Sequence, residues 1–277
     1  MPELPEVQTI VSDLGKILPG LSVRDVWVDW KKIIKQPKTF AGFKKEVIGK
    51  KFLSVERRGK NILIHLSGNR TLLIHLKMTG HMLYGKYKSL QNRFIHLVFT
   101  LSNGNQLALS DVRKFAKVLV CETDKLGELK DIKDIGPNPL DKSFSYGKFK
   151  EIFSSRRGLV KDVLMKQEIV SGVGNIYANE ILWLAGVHPF RKIETIKEKE
   201  LEKIYNAMRK ILEEAVLLRG DSVVDYRDLF GKKGGYQEFH KAYGREGEKC
   251  GRNDGGVIER VKKGGRSSFF CPTHQKL

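Results

Sequence analysis

The opening residues Met1-Pro2-Glu3-Leu4-Pro5-Glu6 place an imino acid beside a carboxylate at the start of the chain. Trimming of the initiator methionine would expose Pro2 as a secondary amine. Its α-amino pKa lies far below that of lysine, so a sizeable fraction is neutral near pH 7. Such an amine attacks an aldehyde-like carbon and gives a positively charged imine, which is covalent catalysis with a built-in electron sink. Glu3, one residue later, sits where it could move protons at the same carbon. An ordinary frayed end is the competing reading of this dipeptide.

Two further stretches carry chemistry. Arg57-Arg58-Gly59-Lys60 is a basic turn between strand-like runs, suited to a phosphate or simply to solvent. Gly172-Val-Gly-Asn175 delivers the chain to a helix start near Ile176, which points backbone N–H groups and the positive dipole end at an anion. A plain interhelix turn would read the same way.

These residues need elements to hold them. From Pro5 onward Val7, Ile10, Val11, Leu14, Ile17 and Leu18 form one apolar helix face, with Pro5 and Glu6 suited to the first turn. The positive end of that helix lies beside Pro2 and favours the uncharged amine. Strand-like runs follow at 22–30, 51–56, 62–66, 71–77, 94–101, 106–109 and 117–121, separated by turns such as Asn103-Gly104. Short strands at this spacing predict a β-sandwich. His65, His75 and His96 lie within these runs without ligand spacing and read as satisfied strand histidines.

Asp134-Ile-Gly-Pro-Asn-Pro-Leu-Asp141 interrupts the pattern, and helical periodicity then runs through 146–154, 159–166, 176–185 and 197–218. Residues 219–236 are rich in Gly, Asp and Lys with weak periodicity and read as a mobile loop. A hairpin is expected over 257–270, turning at Gly264-Gly265. The expected organisation is α+β and multidomain: a β-sandwich domain over 1–135, a linker over 136–147, a helical domain over 148–240 and a hairpin module over 241–277.

The 277 residues carry a net charge of +19 and a pI near 9.7. Lysines and arginines are spread along the chain, an electrostatic footprint for a polyanion and most often nucleic acid. No apolar run approaches membrane-spanning length. Three cysteines, with Cys121 inside an apolar run, do not make a disulfide framework. A cytoplasmic protein associated with nucleic acid, without a membrane partner, is expected.

The blocks PELPEVQT, RRGKNILIHL, HLKMTGHM, SDVRKF and GVGNIYANEILWLAGVHP, with the cysteine-bearing tail, occur in an order that resembles the bacterial formamidopyrimidine-DNA glycosylase family. The resemblance spans essentially the whole chain. It implies a bifunctional glycosylase and abasic-site lyase that removes oxidised purines from damaged double-stranded DNA, working as a monomer in a basic cleft between domains. It also implies a helix–two-turn–helix motif and a zinc-finger-like hairpin.

On this resemblance Glu6 supports the N-terminal site, Lys60 contacts the phosphate beside the lesion and assists catalysis, and Arg266 grips that phosphate from the hairpin and supports the second elimination. Asn175, and Arg156 with Arg157, are carried over as backbone ligands. Met78, Arg113 and Phe115 fill the space left by the extruded nucleotide, the arginine donating to an orphan cytosine. The region 219–236 closes over the extruded base.

Two departures stand out. The family's Lys-His-x-His stretch reads Arg93-Phe94-Ile95-His96, so one DNA contact is either absent or replaced by Arg93. The family's two Cys-x-x-Cys knuckles read Cys250-Gly-Arg-Asn253-Asp254 and Cys271-Pro-Thr-His274. Cys250, Cys271 and His274 suit one tetrahedral structural zinc with Asp254 as fourth ligand, Asn253 being an unusual donor; a zincless finger keeping only the fold is the alternative. No organic cofactor is needed. The rival readings are an endonuclease VIII-like preference for oxidised pyrimidines and a catalytically silent DNA-binding module.

Overall fold

Helix α1 (Leu4–Ile17) forms because its apolar residues recur on one face, and Val7, Ile10, Val11 and Leu14 are all buried. Pro5 sits in the first turn, where its missing N–H leaves no bond unmade. The computed structural model describes residues 1–86, 93–223 and 225–277. It divides into two units: Met1–Lys133 with Leu218–Gly235, and Asp134–Leu217 with Tyr236–Leu277.

The first unit is a β-sandwich. One sheet contains β1 (Val23–Val28), β6 (Gly80–Gly85), β7 (Ile95–Leu101) and β8 (Gln106–Asp111), in the order β1-β7-β8-β6. The other contains β2 (Ile34–Gln36), β3 (Phe52–Arg58), β4 (Asn61–Leu66), β5 (Arg70–His75) and β9 (Lys117–Glu122), in the order β2-β9-β5-β4-β3. Apolar residues alternate inward from both sheets, including Phe99 and Leu109 from one and Ile64, Ile74 and Val118 from the other. The inner face of α1 joins the same core. All seven expected strands form. Strands β2 and β6 and helix α2 (Phe40–Val47), which Thr39 caps by accepting the Gly42 N–H at 3.1 Å, are additional. Each is short and bounded by Pro or Gly, too brief to leave a period.

Residues 218–235 group with this unit rather than with the helical region, and specific contacts tie the segment to it. Arg219 pairs with Asp13 of α1 at 2.6 Å and with Asp228 at 2.7 Å. Tyr226 and Leu229 enter the core, and the Tyr84 N–H donates to the Leu229 carbonyl at 2.9 Å. Polar ties rather than a helical stripe fix the segment, which is why its periodicity is weak.

The second unit holds α3 (Tyr146–Ser154), α4 (Val160–Leu164), α5 (Asn175–Ala185), α6 (Glu198–Leu217) and the hairpin β10 (Glu259–Lys263)–β11 (Arg266–Phe270). Helix α5 is buried along most of its length and packs on α6 and β11. It ends at Gly186, whose φ of +71° suits a residue without Cβ. The hairpin turns at Gly264 and Gly265, both at positive φ. No helix among the described residues is long and apolar enough to cross a membrane.

Candidate functional site

In the first unit the N-terminal residues are not frayed. Pro2 is buried, and Glu3 and Glu6 are 2% and 1% exposed. Glu6 Oε2 accepts the Glu3 N–H at 2.6 Å, the reciprocal arrangement of a capping box that fixes the chain entering α1. Its other oxygen, Oε1, accepts the Asp221 N–H at 2.8 Å. Gly220 makes this approach possible: at φ +84° a Cβ there would lie 2.7 Å from Glu6 Oε1. The chain here includes Met1, so the Pro2 nitrogen becomes an amine once that residue is removed.

Lys60 follows Gly59 in the β3–β4 turn and is 6% exposed. The turn is tied to α1, because Arg57 donates to Gln8 Oε1 at 2.9 Å and to the Gly59 carbonyl at 2.9 Å. Burial, with Arg58 alongside, pushes the Arg57 guanidinium down to about 10. At this end of the sheet Asn61, His75 and Lys117 are register partners across β4, β5 and β9. Burial, reinforced by Lys77, Lys117 and Lys60, pushes the His75 ring down to about 3. The ring is therefore neutral, and its Nδ1 accepts the Lys77 N–H at 2.9 Å. Lys117 pairs with Asp131, whose carbonyl accepts from the Asn61 amide at 3.2 Å.

Met78, Arg113 and Phe115, distant in sequence, come together. The Arg113 guanidinium lies 3.0 Å from Met78 Sδ and stacks 4.6 Å from the Phe115 ring centre. Met78 is 44% exposed and Phe115 51%. Arg93 is exposed and stacks on Phe94, 4.8 Å from its ring centre. His96 is buried between Asp29 and the Asp111 carbonyl.

The second unit carries the remaining candidates. Asn175 is the first residue of α5, after Gly172 at φ +92°. Gln167 braces that turn, accepting from Gly172 N–H at 2.9 Å and donating to the Val173 carbonyl at 2.8 Å. Arg156 and Arg157 are exposed between α3 and α4, and Arg266 is exposed at the start of β11. Helix α5 also mounts the hairpin: Asn179 donates to the Asn175 carbonyl and accepts the Phe269 N–H at 2.8 Å. Buried Lys161 donates to the Ser267 carbonyl at 2.8 Å and to Ser268 Oγ at 2.9 Å. A cavity of about 570 Å³ opens beside Arg266 and is lined by Lys161, Lys166, Phe190 and Lys263. Gln167, Asn179 and Lys161 were not legible as candidates; their partners are mostly backbone groups, which no motif spacing signals.

The tail brings Cys250, Asp254, Cys271 and His274 together, one donor atom from each lying within 4.8 Å of the others. His274 Nδ1 lies 2.7 Å from Asp254 Oδ2, and its Nε2 lies 3.3 Å from the Trp183 carbonyl. Gly256 lets the knuckle close, since a Cβ there would sit 2.3 Å from Cys271 Sγ.

Comparison with known proteins agrees with this geometry. Residues 1–118 match the family described as the formamidopyrimidine-DNA glycosylase N-terminal domain, and residues 135–226 match the formamidopyrimidine-DNA glycosylase H2TH domain. Formamidopyrimidine-DNA glycosylase of Pelotomaculum thermopropionicum is 42% identical over 277 residues, covering 100% of both chains. The Desulforamulus reducens protein of that name is 38% identical, covering 100% of this chain and 99% of its own. Among solved structures, Lactococcus lactis Fpg in complex with abasic-site DNA superposes with TM-score 0.91 at 32% identity, covering 99% of this chain and 100% of that one. A mutant of the L. lactis protein bound to Fapy-dG DNA gives 0.92 at 32%, covering 100% of both.

Proposed function

The chain belongs to the formamidopyrimidine-DNA glycosylase family, and from that premise we propose how its own residues act. It is a base-excision DNA glycosylase with abasic-site lyase activity, removing oxidised purines from damaged DNA. The observation that carries the mechanism is the burial of Pro2, Glu3 and Glu6 at the start of α1, where a frayed terminus would be exposed.

The neutral Pro2 amine bonds to C1′ of the extruded nucleotide as the glycosidic bond breaks, and the base leaves with that electron pair. Opening of the sugar gives an iminium between the Pro2 nitrogen and C1′. That cation acidifies the C2′ proton; its removal breaks the C3′–O bond, and a second elimination breaks the C5′–O bond. Glu3 moves the protons at the sugar, and Glu6 holds the Glu3 backbone in place. Lys60 and Arg266 hold the phosphates beside the lesion, with Asn175, Arg156, Arg157 and Arg93 on the DNA backbone. Met78 and Phe115 restore stacking in the vacated space while Arg113 donates to the orphan base.

For the tail, the donor set itself argues for a cation. The Trp183 carbonyl selects an Nε2–H tautomer of His274, leaving the Nδ1 lone pair facing a carboxylate oxygen at 2.7 Å beside two sulfurs. We assign one structural zinc to Cys250, Asp254, Cys271 and His274. It supplies a cross-link between the two halves of the finger and takes no part in the reaction. No organic cofactor enters the scheme. The protein acts as a monomer on nucleoid DNA in the cytoplasm, consistent with its +19 charge.

Borohydride trapping on duplexes containing 8-oxoguanine opposite cytosine tests the scheme. A covalent adduct with the chain lacking Met1, reduced on Pro2→Gly, is expected; absence of any adduct overturns it.

A further inference from the structure

Asp111, the last residue of β8, is fully buried. Its Oδ1 accepts the Thr79 hydroxyl at 2.5 Å and the Arg113 N–H at 3.2 Å, and its Oδ2 accepts the Ala116 N–H at 2.6 Å. Thr79 Oγ1 also accepts the Arg113 N–H at 3.2 Å. Thr79 follows Met78 and Ala116 follows Phe115, so one carboxylate holds the backbone N–H of Arg113, that of the residue after Phe115, and the side chain of the residue after Met78. The backbone of Asp111 is braced in turn: its N–H donates to the Phe94 carbonyl at 2.9 Å, and its carbonyl lies 3.0 Å from His96 Nε2. The turn holds Lys114 at φ +57°, a conformation a non-glycine residue keeps only where its surroundings impose it.

We infer that Asp111 and Thr79 are positioning residues that set the opposite-base specificity of this glycosylase. The inference rests on reading Met78, Arg113 and Phe115 as the group that meets the orphan base. An exposed guanidinium discriminates between bases only when its aim is held to roughly 0.5 Å and 10–20°. Arg113 gets that aim from Met78 and Phe115, and the carboxylate–hydroxyl pair sets their spacing.

The test compares Thr79→Val, Thr79→Ser, Asp111→Asn and Arg113→Ala. The readouts are the kcat/KM ratio for 8-oxoguanine opposite cytosine against opposite adenine, and the fluorescence of 2-aminopurine at the orphan position. Thr79→Val is expected to lower the ratio about fivefold and Thr79→Ser to restore it, a rescue that depends on the hydroxyl. Asp111→Asn, which turns an amide toward an N–H, is expected to lower the ratio further. A wild-type ratio and fluorescence in Thr79→Val, with the ratio collapsed in Arg113→Ala, overturns the inference. An unchanged ratio in Arg113→Ala instead defeats the reading of the arginine. Thermal unfolding identifies an unfolded Asp111→Asn, in which case the threonine pair decides.

Discussion

The Glu6 carboxylate accepts the Asp221 N–H at 2.8 Å, joining the first turn of α1 to a segment that leaves α6 more than two hundred residues later. The same carboxylate holds the Glu3 N–H. Glu6→Gln keeps one acceptor and turns an amide toward the second N–H. A buried donor left unsatisfied costs about 1–3 kcal/mol, so the unfolding temperature should fall. Gly220→Ala should fall similarly, by strain at positive φ and by contact with Glu6. Unchanged melting of both variants would remove the tether.

Glu3→Gln should slow base excision by about 10²-fold or more, the usual contribution of a placed acid–base group. Single-turnover excision on duplexes with 8-oxoguanine opposite cytosine measures this; a loss below about threefold would exclude Glu3 from the chemical step.

Lys60 and Arg113 should fail differently. Lys60→Ala should weaken binding on every sequence and flatten the slope of log affinity against log salt by about 1. Arg113→Ala should lose about 1–3 kcal/mol of discrimination between opposite bases. Equal salt slopes for Lys60→Ala and wild type would remove Lys60 from the phosphate.

Elemental analysis of untagged protein should find about one zinc per chain. Asp254→Ala and Cys271→Ser should each reduce it, while chelation should leave the β-sandwich folded because it lies in a separate unit. A zinc-free chain with intact cleavage would mean that apolar packing around Phe269 and Trp183, with the bonds from Asn179 and Lys161, holds the hairpin without metal.

His75 supplies a pH signature. Burial holds its folded pKa near 3, against about 6.5 when unfolded. Above pH 6.5 both states are neutral and the ring adds no pH dependence. Between pH 6.5 and 3 the unfolded chain takes a proton the folded one refuses, so stability falls; below 3 the penalty is complete. His75→Asn, which can still accept the Lys77 N–H, should flatten that limb. An unchanged acid limb in urea titrations from pH 7 to 4 would show that other groups dominate.

Much of the architecture is visible in local pattern. Val7, Ile10, Val11 and Leu14 announce α1, alternation announces the longer strands, and Gly264-Gly265 announces the hairpin turn. What escapes is nonlocal. Arg219 finds Asp13 across 206 positions, so a segment with no period of its own reads as loose although its ends are pinned. Asp111 escapes for another reason: two of its three carboxylate partners are backbone N–H groups, which every residue possesses. The four tail donors, by contrast, were legible because their residue types are rare together.

Those four donors set the exposure of the finger to oxidants. A thiolate can be driven to sulfenic and then irreversible sulfinic acid, whereas a carboxylate has no such ladder. With the proposed zinc on these donors, two sulfurs, one oxygen and one nitrogen present half the oxidisable ligands of a four-cysteine set. For a repair protein working where guanine itself is being oxidised, corrosion of the clasp has fewer places to begin.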